Sequence, residues 1–368
     1  MKSRRNQLRS VIDITKQTKH LQIKNNYMPA FSEPAKNDKD ITNTRLRIDY
    51  LLDVEALEKE DVRDVVRGLT SEQKTLPPRY FYDAKGSQLF EAICQLPEYY
   101  PTRTEASILK CYASDIVRQT QSVELVELGS GSSTKTRYLL DAYKQLDSSL
   151  YYVPIDVSGS ILQKSAEDLL SDYNRLKIQG LVATYSQALE QLASNFVGKR
   201  TIAFLGSSIG NFTPEECDLF IKQVTAALNR EDYFLLGIDL QKPIDILEAA
   251  YNDAQGITAA FNLNMLQHLN NRFAGDFNLD LFRHQAIYNS TANQIEMYLI
   301  SQENQTVTLD KLNLTIKLAK GEQILTEISR KFNLEYMKQY LGDRNLNLIQ
   351  AYTDSHQWFG LLLCQLNK

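Results

Sequence analysis

Val123-Glu-Leu-Val-Glu-Leu-Gly-Ser-Gly-Ser-Ser-Thr-Lys-Thr136 is the stretch of this sequence that decides the fold. A short apolar run ends at Leu128, and two closely spaced glycines follow it before a helical pattern begins. Glycines between a strand and a helix let the backbone approach a ligand closely and point helix N–H groups at it. The stretch therefore predicts a strand, a ligand-binding turn and a helix.

Two familiar kinds of phosphate loop fit this stretch poorly. A P-loop needs a glycine before its lysine, whereas Thr134 precedes Lys135 here. A dinucleotide-binding loop needs a third glycine in the neighbourhood that Ser133 and Thr134 occupy. Both interpretations are therefore less favoured than a loop that takes a different nucleoside cofactor.

The acidic residue before the glycines favours a third kind of loop. Glu127, Gly129 and Gly131 form an acid-x-Gly-x-Gly pattern, which suits the amino-acid end of S-adenosylmethionine. Asp156 ends the next apolar run, where an acidic residue would bind the ribose hydroxyls. The residues thus predict an S-adenosylmethionine site at the ends of two neighbouring strands.

The segments around this stretch alternate between apolar strands and amphipathic helices. Further strands are predicted at Tyr151–Ile155, Thr201–Leu205 and Tyr233–Ile238, and helices at Ile161–Tyr173 and Pro214–Leu228. This alternation indicates an α/β fold with a parallel sheet covered on both faces. Extended segments are predicted later, at Gln294–Leu299, Val307–Lys317 and Gln323–Ile328. Capping-box spacing at Thr102–Glu105 and at Thr213–Glu216 predicts two helix starts.

Composition limits the classes of function. The 368 residues carry 41 Lys and Arg against 45 Asp and Glu, a net charge of −4, which disfavours nucleic acid as a partner. No apolar run approaches the roughly 20 residues that span a membrane. Four scattered cysteines and four histidines without an HExxH pattern predict no metal site and a cytoplasmic location. Residues 1–45, basic and then polar, are expected to form a mobile arm.

Two other motifs carry candidate chemistry. Gly206-Ser-Ser208-Ile-Gly210 follows a predicted strand and matches the GxSxG nucleophile elbow of α/β-hydrolases, with Asp354 and His356 in the expected order. Those two residues are only two positions apart, and no oxyanion segment precedes the serine. In the strand Gln323–Ile328 and beyond, alternation places Glu327 and Ser329 on one face, together with Leu325. The pair could bind the N–H group of a ligand ring.

Taken together, the motifs resemble the L-histidine Nα-methyltransferases of ergothioneine biosynthesis. The resemblance runs from about Asp61 onwards and is carried by LPPRYFYDAKGSQLFEAICQLPEYYPTRTEASIL, ELGSGSSTKTR, FLGSSIGNFTPEE, AYNDAQGITAAFN, IEMYL and ILTEISRKF. It implies a Rossmann-like class I methyltransferase domain with a second, α+β substrate-binding domain. The implied boundaries are 46–105 plus 241–331 for the substrate domain and 106–240 plus 332–368 for the methyltransferase domain.

The resemblance also implies roles for individual residues. Tyr82 and Asn211 are the expected catalytic residues, which orient the amine, and the cofactor is S-adenosylmethionine. The implied cofactor contacts are Gly129, Gly131, Lys135, Asp156, Thr184, Tyr185 and Gly206. The implied substrate contacts are Tyr99, Asn211 and Tyr251 for the amino-acid end, Met297, Glu327 and Ser329 for the imidazole, and Phe90, Thr258 and Phe261 for the wall. Thr184 departs from the family, which usually has an acidic residue there to meet the adenine.

The expected function is S-adenosylmethionine-dependent methylation of the α-amino group of L-histidine, three times, to the betaine hercynine. The expected enzyme is a cytoplasmic monomer with a small-molecule substrate, and without a metal, nucleic acid or membrane partner. Three alternatives stay open: the same chemistry on another amino acid, a GxSxG hydrolase, and a silent module that binds the cofactor without turnover.

Overall fold

The computed structural model describes residues 45–145, 150–192 and 198–366, without the side chains of residues 54–58. Its helices are α1 (Val54–Thr70), α2 (Ala84–Cys94), α3 (Tyr100–Thr120), α4 (Thr136–Lys144), α5 (Gly159–Asp172), α6 (Tyr185–Leu192), α7 (Pro214–Ala227), α8 (Ile244–Tyr251), α9 (Ile257–Phe273) and α10 (Leu334–Gly342). The predicted N-terminal arm, except Arg45, lies outside the described residues.

The strands form a large sheet, a small sheet and a hairpin. They are β1 (Leu46–Tyr50), β2 (Lys74–Thr75), β3 (Glu124–Leu128), β4 (Leu150–Asp156), β5 (Leu176–Val182), β6 (Arg200–Phe204), β7 (Tyr233–Asp239), β8 (Phe282–Asn289), β9 (Gln294–Ser301), β10 (Gln305–Leu309), β11 (Leu314–Leu318), β12 (Gln323–Arg330), β13 (Leu346–Thr353) and β14 (Phe359–Leu366). The hairpin consists of β10 and β11.

The large sheet has the strand order β1-β5-β4-β3-β6-β7-β14-β13. Neighbours from β1 to β7 run parallel, whereas β14 is antiparallel to both β7 and β13. Every residue of β3, β6 and β7 is buried, because helices cover both faces. The order changes direction at β3, and ligands of such sheets bind at the carboxyl ends of the strands beside that point. The predicted Rossmann-like α/β class is confirmed.

The small sheet has the order β2-β12-β9-β8 and a hydrophobic core of its own. Its central pairs, β12 with β9 and β9 with β8, are antiparallel. Helices α2, α8 and α9 contribute to this core, with Ile93, Leu247 and Met265 among its buried residues. The small sheet and its helices therefore form the second, α+β layer, and the exact division of the chain into two domains stays a prediction.

Several elements differ from the sequence-based expectation. β1 extends the edge of the large sheet, although it falls in the segment 46–105 that we assigned to the second domain. β5 and β8 were not predicted, because polar residues interrupt their apolar pattern. The predicted strand Val307–Lys317 is broken by a 3-10 turn at Asp310–Leu312 and by Asn313, whose φ is 48°. The expected capping box at Thr213 is present, whereas the one at Thr102–Glu105 is wrong because α3 begins earlier, at Tyr100.

Candidate active site

The glycine loop after β3 forms an open turn. Gly129 and Gly131 have φ angles of 72° and 49°, which favour glycine over other residues. A Cβ atom on Gly129 would lie 2.8 Å from the Tyr185 hydroxyl, whereas no atom lies within 4 Å of the position of a Cβ on Gly131. The loop is therefore closed by Tyr185 at its first glycine and has free space at its second.

Asp156, at the end of β4, is tied to this loop. Its carboxylate accepts hydrogen bonds from the backbone N–H of Gly131 (2.9 Å) and of Ser158 (2.9 Å). A carboxylate has about four lone-pair positions, so two remain for a ligand's hydroxyls. The Ser130 hydroxyl in the same loop is buried and has no hydrogen-bond partner among the described residues. Open space, free acceptor positions and an unpartnered donor fit the hydroxyls and amino-acid end of S-adenosylmethionine.

Thr184 and Tyr185 begin α6 and have different roles in the structure. The Thr184 hydroxyl donates to Gln187 Oε1 (3.0 Å) and accepts from the Gln187 N–H (3.3 Å), so it caps the helix. Burial raises the pKa of Tyr185, which keeps the phenol neutral beside the glycine loop. The contact of Thr184 with adenine remains a prediction, and its hydroxyl would have to be shared with the cap.

Glu105 lies near the cofactor loop, and the sequence analysis wrongly placed it in a capping box. It is fully buried, accepts the Gly206 N–H (2.8 Å) and forms an ion pair with the Lys135 ammonium. Lys135 begins α4 and Gly206 follows β6, so one carboxylate of α3 joins the two loops that flank the switch point. A buried acid in the middle of an otherwise amphipathic helix is the sequence signal that could have identified it.

Glu127 supports the glycine loop from behind. Its carboxylate is buried and accepts hydrogen bonds from the hydroxyls of Thr136 (2.5 Å) and Tyr152. Burial raises its pKa to about 7, and these two hydrogen bonds oppose that rise. The acid of the predicted acid-x-Gly-x-Gly pattern therefore fixes the start of α4 to β4, and no ligand role is needed to explain it.

An aromatic pocket forms where the loop before α2 meets α8 and α9. The Tyr82 ring lies 5.9 Å from both Phe90 and Phe261, Phe90 lies 6.4 Å from Tyr99, and Tyr99 lies 6.0 Å from Tyr251, between ring centroids. Tyr82 is 50% exposed, as expected for a side chain on the wall of a cleft. The structure thus brings five predicted site residues into one continuous wall.

The strand β12 supplies the polar floor of this pocket. Glu327 pairs in register with Met297 and Ser329 with Ile295, so Glu327, Met297 and Ser329 share a face as predicted. Leu325 is opposite Tyr298 instead, because a bulge at Thr326 adds one residue to the strand. The expectation that Leu325 joins this face is therefore wrong.

Glu327 is the acid of the pocket. Its carboxylate accepts no hydrogen bond from the part of the chain that the structure describes. Burial raises its pKa to about 7, and Lys331 opposes that rise. With this pKa, about half of the Glu327 side chains are ionised at pH 7. An ionised carboxylate without a partner is suited to accept a hydrogen bond from an N–H group of a ligand.

Asn211 lies in a turn next to the end of β12. It ends the 3-10 turn Ser208–Asn211, and a Cβ on Gly210 would lie 2.9 Å from the backbone oxygen of Arg330. The turn thus packs directly on the end of β12, one residue beyond Ser329, and leaves the Asn211 side chain partly buried. Thr258 is buried on α9, three residues before Phe261 and on the same face.

The cofactor loop and the aromatic pocket lie close to each other. Half of the Tyr82 side chain is exposed, but protein atoms surround its hydroxyl and raise its pKa, Glu327 raises it further, and the Tyr185 phenol also lies within reach. Tyr185 is the residue that covers Gly129, so the Tyr82 phenol lies within electrostatic reach of both halves of the site. This arrangement allows a donor bound at the glycines to face an acceptor bound at the phenols.

The hydrolase triad is not formed. The Ser208 hydroxyl donates to the Leu205 carbonyl (3.1 Å). The Asp354 carboxylate accepts the backbone N–H groups of His356, Trp358 and Phe359 and thus caps the turn before β14. The His356 ring packs on Trp358, with 5.1 Å between centroids. The three residues have other partners, and the GxSxG match reflects a tight turn that packs on β12.

Three further observations concern metals, membranes and disulfides. Among the described residues, no three His, Cys, Asp or Glu side chains are grouped so that they could hold a metal ion. None of the helices in the described ranges combines the length and apolar character required to cross a membrane. The four cysteines are unpaired.

Comparisons with known proteins agree with the geometry. Residues 61–366 match the family described as histidine-specific methyltransferase, SAM-dependent. The histidine N-alpha-methyltransferase of Mycolicibacterium smegmatis is 42% identical over 82% of this chain and 93% of its own, and that of Mycobacterium tuberculosis is 40% identical over the same shares. The ergothioneine biosynthesis protein 1 of Schizosaccharomyces pombe is 28% identical over 75% of this chain and 37% of its own.

Proposed function

The chain belongs to the histidine-specific, S-adenosylmethionine-dependent methyltransferases, and on that premise we propose that it methylates the α-amino nitrogen of L-histidine three times in succession. The product would be hercynine, the trimethylated betaine, as a step of ergothioneine biosynthesis. The observation that carries the proposal is the unpartnered Glu327 carboxylate, which faces a pocket of phenols that also adjoins the cofactor loop.

The pocket can hold the reacting amine in its neutral form. When bound, S-adenosylmethionine supplies an electrophilic methyl group, and an amine can attack it only without its proton. An α-amine has a pKa of about 8, and a desolvated site lowers it. Tyr82 stays neutral, since the protein around its hydroxyl raises its pKa, so this hydroxyl and the Asn211 amide can orient the nitrogen lone pair. Correct placement is the main requirement of such a displacement.

The remaining pocket residues select the substrate. Tyr99 and Tyr251 offer hydroxyls to the carboxylate, and burial raises the pKa of both, so both remain donors. Glu327 and Ser329 would bind the imidazole nitrogens, which an apolar ring could not satisfy. The rings of Tyr82, Phe90 and Phe261 form an aromatic wall, and aromatic rings can accommodate the trimethylammonium of the final product.

The test is mass spectrometry of L-histidine incubated with the enzyme and S-adenosylmethionine. We expect the gain of three methyl groups on the α-nitrogen. Gain of none removes histidine as the substrate, accumulation of a mono- or dimethylated product refutes the three-step proposal, and cofactor binding without turnover on any of twenty amino acids indicates a silent module.

A pair of tyrosine variants tests the role of Tyr82. We expect Tyr82→Phe to lower kcat by tenfold or more while S-adenosylhomocysteine binds normally, because the ring stays and only the hydroxyl is lost. Tyr288→Phe is the matched control, since that phenol contacts Asn293 outside the site. Equal effects of the two changes would contradict the assignment.

We also propose that the enzyme works as a cytoplasmic monomer, without nucleic acid or a membrane as partner. The net charge of −4 and the absence of paired cysteines support this proposal. Light scattering of the purified protein would test the oligomeric state, and a stable dimer would refute that part.

A further inference from the structure

A buried charge cluster lies directly behind the substrate pocket, and the sequence analysis assigned it no role. It consists of Lys331, which follows β12, Asp239 at the end of β7, and Lys242. The side chains of all three are at most 1% exposed. Lys331 forms an ion pair with Asp239 (2.9 Å), and Lys242 pairs with the other oxygen of the same carboxylate.

The ammonium of Lys331 also contacts two residues of the pocket. Its Nζ atom lies 3.0 Å from the Tyr251 hydroxyl and 2.8 Å from the Ser329 hydroxyl, which are 2.9 Å from each other. An ammonium has three N–H donors and no acceptor. The three donors of Lys331 are therefore fully used by Asp239, Tyr251 and Ser329.

These contacts determine which hydrogen bonds the Tyr251 and Ser329 hydroxyls can donate. Each accepts a hydrogen bond from Lys331, and one donates to the other. One hydroxyl proton then remains, and it can only be donated towards the pocket. The pair is thus held as a hydrogen-bond donor, which is what an anionic group of a substrate requires.

The cluster also carries a net positive charge. Burial lowers the Lys331 pKa, but Asp239 and Tyr251 raise it by more, so it stands above its usual value. The pKa of Asp239 is lowered despite burial, because Lys331 and Lys242 face it. Burial lowers the pKa of Lys242 to about 8, which leaves it charged at neutral pH. Two cations and one anion therefore remain in a region of low dielectric.

We propose that Lys331 is a positioning residue for recognition of the substrate's carboxylate: it holds the Tyr251–Ser329 hydroxyl pair so that its one free proton, on Tyr251, is donated to the carboxylate, and it places a positive charge one hydroxyl away from the substrate. The inference rests on the proposed assignment of Tyr251 to the carboxylate. A cation at this distance stabilises the carboxylate without lying against the sulfonium, which a lysine in the pocket itself would repel. A purely structural lysine would hold β7 and β12 together but would not distinguish substrates with and without a carboxylate.

The test compares L-histidine with L-histidinol, which keeps the amine and imidazole but has a hydroxymethyl group in place of the carboxylate. Affinities are measured by calorimetry on enzyme loaded with S-adenosylhomocysteine. We expect Lys331→Gln to weaken the binding of histidine at least tenfold and the binding of histidinol less than threefold. In the methylation of histidine, kcat should fall by a smaller factor than KM rises. Equal weakening of both ligands would overturn the inference. Failure of the wild-type enzyme to methylate histidine would instead refute the proposed function.

Two further variants make the outcome specific. Lys74→Gln removes a lysine that pairs with Glu322 on the same small sheet, far along β12 from Ser329, and should leave the histidine preference unchanged. If Lys331 acts through the phenol, Lys331→Gln should add less than threefold to the loss of histidine affinity in a Tyr251→Phe background. Full additivity of the two changes would also overturn the inference.

Discussion

Replacement of Glu327 by glutamine should raise the free energy of unfolding and lower the activity on histidine. The folded structure raises the pKa of this carboxyl from 4.5 to about 7, chiefly by burial. Each pKa unit is worth about 1.36 kcal/mol, so the ionised carboxylate costs up to about 3 kcal/mol of folding free energy. Because Glu327 is only partly buried and faces a cleft, we expect about 1–3 kcal/mol.

The sign of the effect follows from the protons bound in each state. Between pH 4.5 and 7, the folded protein keeps a proton on Glu327 that the unfolded chain has released, so the free energy of unfolding falls as pH rises. Glutamine removes this dependence while keeping the shape. Glu327→Gln should therefore match the wild type near pH 4.5 and exceed it above pH 7, as measured by urea unfolding at several pH values.

The same change should weaken the use of histidine. Glutamine keeps an oxygen acceptor for the imidazole N–H but loses the charge, and alanine loses both, at a cost in kcat/KM of about 1–3 kcal/mol for Glu327→Ala. A constant stability difference between wild type and Glu327→Gln across the pH range would refute the inferred burial of the carboxylate. Unchanged kinetics in Glu327→Ala would show that the imidazole binds elsewhere.

Three other substitutions test the loops around the site. Gly129→Ala should abolish S-adenosylhomocysteine binding in calorimetry, because of the positive φ and the nearby phenol, whereas Gly342→Ala, with open space around it, should not. Glu105→Gln should lower the free energy of unfolding by about 3 kcal/mol and weaken cofactor binding, because it leaves a lysine without its anion. Gly210→Ala should lower kcat but not cofactor affinity, because the methyl group would displace the turn from the backbone of Arg330; unaltered kcat would contradict this.

Local patterns predicted much of the fold. The apolar runs before Leu128 and from Tyr233 lie in the middle of the large sheet, where both faces are covered and most residues are therefore apolar. β8 was missed for the opposite reason: its outward face carries polar residues, such as Arg283, which resemble a loop. β1 was missed because its partner β5 is distant in sequence, and pairing of that kind leaves no local signal.

The site was predicted less completely than the fold. The aromatic residues lie together as expected, but the bulge at Thr326 could not be foreseen, since one additional residue changes the faces without changing the composition. Glu105 matched a capping box by spacing alone, although α3 begins at Tyr100 and turns the carboxylate inward. Lys331 is charged, and a charged residue after a strand is usually exposed, so only tertiary structure shows that it is buried.

The ion pair between Lys331 and Asp239 restricts how the substrate pocket can open for histidine and its products. It joins the end of β7 to the end of β12, and both partners are hidden from water. A hinge between the layers would have to separate these charges, at a cost of several kcal/mol. Tyr82, by contrast, is half exposed at the rim of the cleft. We therefore expect histidine and its products to exchange through local movement at this rim rather than through separation of the two sheets.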